Sequence, residues 1–201
     1  MTKPSLKILR LGIFVALMVP LLSASAQSGA VVMRIEGVDG VGDVKILGFA
    51  DGNHIAVNAL SLSFERDIAT GTTDTTGTRA GRINPPTITL SRNIDRGSTS
   101  LMQSMFTMKI FRSIRLHFID TTSTPTVYLS YKFETCSIQK WGSSGTGDEM
   151  PNEEIALSCS KIGAGYRARD GKTAPPVGWD FVQNVSYNPG ALIAPDGKPL
   201  P

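Results

Sequence analysis

Reactive side chains are scarce: of 201 residues, only two are histidine and two are cysteine. His54 and His117 form no His-x-x-x-His, and these four residues at scattered spacing make a poor zinc set. No Gly-x-Ser-x-Gly elbow is present, so the sequence signature of an α/β-hydrolase nucleophile is missing. The absence of Cys-x-x-Cys argues against a redox-active pair. Asp39, Asp43 and Asp51 lack the spacing of an EF-hand calcium loop. The clusters Gly37/Gly40/Gly42 and Gly142/Gly145/Gly147 do not precede a helix, which makes them turns rather than phosphate loops. Also missing is a basic patch with interleaved aromatics, so nucleic acid is not an expected partner. These absences point to a non-enzymatic protein that needs no cofactor and no metal, and that acts by shape and association.

Long apolar runs are lacking too. The longest, Leu11 to Leu22, has about twelve residues where a bilayer needs ~20, and Pro20 interrupts it. It follows Lys3, Lys7 and Arg10 and precedes Ala24-Ser25-Ala26, the three-part pattern of a cleavable export signal. Cleavage is expected between Ala26 and Gln27, with no stable membrane anchor and a secreted or periplasmic destination. No cysteine follows that point to carry a lipid. The signal holds three of the 20 basic residues and none of the 17 acidic ones, so the mature chain is balanced at 17 against 17. The basic isoelectric point therefore says nothing about partners.

What is present suits strands. The mature chain is rich in Gly, Thr and Ser and is long enough to bury one core. Val31 to Gly37, Val44 to Phe49, Ile55 to Ile68, Pro86 to Asn93 and Ser113 to Asp120 read as strands. In the third, Leu60, Leu62, Phe64 and Ile68 alternate with Ser61, Ser63 and Glu65, the pattern of a half-buried strand. In the last, Arg115 and His117 lie opposite Ile114, Leu116 and Phe118. Ala69 to Arg82 has almost no apolar content and reads as an exposed loop. One helix is expected over Ser98 to Met108, capped by Ser98 or Thr99, with Leu101, Met102, Met105, Phe106 and Met108 as a stripe packed on a sheet. Thr126 to Trp141 and Glu153 to Arg167 form two long strands around the Gly-rich loop Gly142 to Asn152. Thr173 to Pro201 is Pro- and Gly-rich and mostly extended. This pattern makes a β-sandwich or β-barrel with one helix.

The long hairpin makes the cysteines informative. A register centred between residues 147 and 148 sets Cys136 opposite Cys159, Ile138 opposite Leu157 and Lys140 opposite Ile155, with Phe133 opposite Ile162 on the other face. Directly opposed residues are within disulfide reach, so a Cys136–Cys159 bridge is expected; the alternative is two buried thiols.

Several weak motifs occur in order along the chain: Ile35-Glu36-Gly37; Arg79-Ala80-Gly81-Arg82-Ile83 after a polar loop; and Leu90 to Ser98 passing from strand to helix through Asp95. Pro151-x-Glu153 follows the hairpin loop, and Gly178-Trp179-Asp180 stands with Asn184 four residues on. Over about residues 31 to 185 the chain resembles the Hcp (hemolysin-coregulated protein) family, the tube protein of the bacterial type VI secretion system. The resemblance implies a two-sheet β-barrel with a short helix on its side. It also implies self-association into a hexameric ring that stacks into a tube, with secretion-system components and effector proteins as partners. On this reading residues 1–26 are the signal, 27–187 the Hcp-like domain and 188–201 an extended tail. Two features depart from the family: tube proteins are typically made without a cleavable signal, and the tail is extra. A second reading is an exported Hcp-like binding or assembly module that is not part of an injection tube.

Overall fold

A computed structural model of the chain describes residues 29–36, 38, 54–66 and 82–198. The expected signal with its Ala26–Gln27 junction, the strand at residues 44–49, Asp39, Asp43 and Asp51, and nearly all of the polar loop lie outside the described residues.

Nine strands and one helix follow in chain order: β1 (Gly29–Ile35), β2 (His54–Val57), β3 (Ala59–Ser63), β4 (Thr87–Asn93), α1 (Ser98–Phe106), β5 (Phe111–Asp120), β6 (Thr126–Ser144), β7 (Asn152–Tyr166), β8 (Val177–Asp180) and β9 (Val185–Ser186). The β6–β7 hairpin is the spine of one antiparallel sheet ordered β2-β1-β5-β6-β7-β4-β3, with β8 and β9 added beside β7.

The expected two-sheet barrel is corrected by this order. The strands form a single open sheet, with β2 at one end of the path and β3 at the other. The two are joined through Asn58 alone, whose N–H donates to the Ser91 carbonyl at 2.8 Å. One residue is too short a link for two strands to fold back and pair, since the tightest common hairpin loop has two. The expected single strand from Ile55 to Ile68 is thereby split, its first part pairing with β1 and its second with β4.

One face of the sheet carries the main core: Met33, Ile55, Ile88, Leu90, Ile114, Leu116, Phe133, Ile155 and Leu157, with Leu101 from α1. The other face carries a smaller cluster of Val32, Ile119, Val127 and Ile193. Both faces of β1 and β5 are therefore covered, and His117, opposite Leu116 by alternation, is fully buried. The C-terminal segment does the covering. Leu192 and Ile193 are buried, and a side chain at Gly163 or Gly165 would run into it: an added Cβ would lie 2.5 Å from Pro189 Cβ or 3.0 Å from Leu192 Cβ.

The helix differs in detail from its expected form. It begins after Gly97 with no side-chain cap; Ser98 Oγ instead accepts from the Asp95 N–H at 3.0 Å and tightens the preceding turn. Only Leu101 of the apolar stripe is buried, with Met105 packed at the margin. Phe106, the last helical residue, and Met108 just beyond it are 66% and 83% exposed.

Candidate functional site

The cysteine pair lies in the middle of the long hairpin. Cys136 and Cys159 are register partners with Cα atoms 4.1 Å apart, and their sulfurs are placed at bonding distance, 2.15 Å. Ile138 faces Leu157 as expected, but Lys140 faces Ala156 and Trp141 takes the place opposite Ile155. An irregularity between Ile138 and Lys140 shifts the register by one. A second irregularity precedes the cysteine: Thr135 has φ of 52°, a left-handed conformation costly for a β-branched residue. Each break lets residues three apart share a face. Phe133, Cys136, Ile138 and Trp141 consequently all meet the main core, and Phe133 and Ile162 are not on the opposite face from the cysteines.

Next to the hairpin loop is a buried ionic cluster. Arg92 of β4 and Glu153 of β7 are register partners, with Nε 3.2 Å from Oε1, and both are about 1% exposed. Asp95 pairs with the same guanidinium from the turn before α1. Trp141 Nε1 donates to the second Glu153 oxygen at 2.8 Å. Lone buried charges are costly, and each of these groups has an opposite charge or a donor against it. The cluster ties β4, β6, β7 and the entry to α1 together.

A third polar group is sealed between β5 and β6, where His117 Nδ1 is hydrogen-bonded to Ser130 Oγ at 2.9 Å. Burial, reinforced by nearby His54, Arg115 and Arg34, pushes the His117 pKa down to about 3, so the ring is neutral. The two histidine rings are 6.2 Å apart. Near β8, the Gln183 N–H and the Lys161 ammonium, 2.9 Å away, hold the Asp180 carboxyl below its ordinary range. Among the described residues no group of three or more His, Cys, Asp or Glu is arranged to hold a metal.

The arrangement braces a sheet. Among the described residues it brings no nucleophile, base and oxyanion donors together. Among the described residues the unpaired surfaces are of another kind: the apolar Phe106, Met108 and Ile110 at the α1–β5 junction, and the outer edges of β2, β3 and β9.

The family model for the type VI secretion system effector Hcp matches residues 32–166, well over half of the chain. The chain belongs to the Hcp family. Membership assigns it to non-catalytic, structural and secreted proteins rather than to enzymes. Among solved structures it is similar to a type six secretion system protein at 19% identity and a TM-score of 0.66, covering 79% of this chain and 99% of the other. Hcp1 from Salmonella typhimurium is similar at 21% identity and a TM-score of 0.61, with the same coverage. A type VI secretion system effector from Yersinia pestis is similar at 17% and 0.51, covering 75% of this chain and 98% of that one. At these identities the likeness establishes the fold. A search of curated proteins found no match.

Proposed function

We propose that this Hcp-family chain is an exported structural protein whose copies assemble into a hexameric ring, stacking as part of a type VI secretion tube. The observation that carries this reading is the family match over residues 32–166. Open strand edges and the exposed Phe106, Met108 and Ile110 offer surfaces for neighbouring copies. Export follows cleavage between Ala26 and Gln27, and the oxidising compartment then closes the Cys136–Cys159 bridge. Secretion-system components and effector proteins are its further partners, and it is released to the periplasm or the medium.

The N-terminal signal pattern favours a second reading, an Hcp-like binding or assembly module working outside an injection tube. Light scattering on the purified mature protein separates the two. A particle of six chains supports the ring, and a strict monomer at micromolar concentration overturns it in favour of the module.

A further inference from the structure

A cavity of about 630 Å³ opens at the end of the β6–β7 hairpin remote from its Gly-rich loop, where β1 begins and β5 ends. Its size suits a small ligand. We propose that it binds a carboxylate-bearing sugar of the uronic-acid class. Two observations carry this assignment.

The first is charge. Asp120 on the cavity wall is already satisfied: its carboxylate accepts from the Thr122 N–H at 3.0 Å and hydroxyl at 2.6 Å, and pairs with Arg169 at 3.2 Å. Arg167, on the same wall, has no carboxylate partner among the described residues. Its guanidinium donates a long hydrogen bond from Nη2 to the Pro195 carbonyl at 3.5 Å, and its Nε is buried without an acceptor among the described residues. A permanently charged fork of five donors, left this poorly satisfied at a cavity, matches one carboxylate. A dianion would meet repulsion from Asp120.

The second is the lining. Tyr128 and Tyr166 line the cavity and are 36% and 51% exposed, aromatic surface of the kind that suits the apolar face of a pyranose, and Ser123 and Thr124 between β5 and β6 add hydroxyl groups to the lining. Tyr128 is held by Phe118, 6.2 Å away between ring centres. The C-terminal segment packs against the start of β6 beside the cavity. The Gly197 carbonyl accepts from the Val127 N–H at 2.9 Å, and a Cβ at Gly197 would lie 2.6 Å from Thr126 Cγ2. Of the lining residues, Asp120, Tyr128 and Tyr166 lie within the segment matched to the family, whereas Gly29, Arg167 and Arg169 lie outside it.

The test is saturation-transfer NMR and calorimetry on the purified protein with galacturonate, galactose and acetate in parallel. Galacturonate is expected to bind with a Kd of about 1 mM, and the neutral sugar and bare carboxylate at least about tenfold more weakly. Arg167→Gln should weaken galacturonate at least about tenfold, corresponding to about 1.4 kcal/mol. Because Arg167 also contacts Pro195, Tyr166→Ala is the second variant, expected to lose binding with an unchanged melting temperature. Equal binding of acetate reduces the site to a simple anion contact and overturns the proposal. So does equal binding of galactose, no binding of any probe, or full binding by Tyr166→Ala.

Discussion

Opening the Cys136–Cys159 bridge should lower stability by an amount that the hairpin itself sets. The cysteines are 23 residues apart, and closing such a loop is worth about 3.4 kcal/mol at 25 °C on the chain-entropy relation. For a domain of this size, each kcal/mol moves the melting temperature by about 2–4 °C, so the expected drop is roughly 7–14 °C. Both cysteines are buried, at 0% and 3% exposure, so a reductant gains access only through opening of the hairpin. Reduced protein is therefore prepared by reduction in denaturant followed by refolding, and its melting is compared with untreated protein by circular dichroism. The double variant Cys136→Ala/Cys159→Ala should fall at least as far, since it also loses packing in the core. Two alkylatable thiols in denatured, unreduced protein would refute the bridge. A melting temperature unchanged by verified reduction would refute the energetic argument.

Glu153→Gln should cost about 3 kcal/mol, since it strips the buried Arg92 of one carboxylate while Asp95 remains, and Trp141→Phe about 1.5 kcal/mol. Denaturant midpoints measure both, and a Glu153→Gln midpoint equal to the parent's would show that the cluster does not brace the fold. His117 takes a proton near pH 6.5 when unfolded but only near pH 3 when folded, so between those values the unfolded state binds more protons and stability falls as pH falls. The slope approaches about 1.4 kcal/mol per pH unit, and His117→Asn should flatten it in melts between pH 4.5 and 6.5; an unchanged slope would contradict burial of the ring. Gly163→Ala should cost about 1–3 kcal/mol because its Cβ collides with Pro189, and should speed proteolysis of the C-terminal segment. If neither changes, the segment does not rest on β7.

The β6–β7 hairpin was legible because a Gly-rich loop lies between two alternating runs, so the register could be centred on the loop. Its irregularities at Thr135 and beyond Ile138 were not, since no residue there is a glycine or proline that announces a break. The Arg92–Glu153 pair did leave a trace. Arg92 has the parity of Ile88 and Leu90, and Glu153 that of Ile155 and Leu157, so each is a charge on an apolar face. Burial of His117 left none locally, because the cover over its face includes Ile193, far along the chain. The open sheet was missed because alternation tells which face a residue takes, while closure depends on whether the end strands pair. Here β2 and β3 are held by different neighbours and separated by Asn58 alone.

The ring is the central claim, and electron microscopy of the purified mature protein tests it most directly. Hexameric rings in averaged images, with or without stacking, are the predicted result. Monodisperse single chains at micromolar concentration, still carrying the hairpin bridge and a cooperative melt, would contradict it.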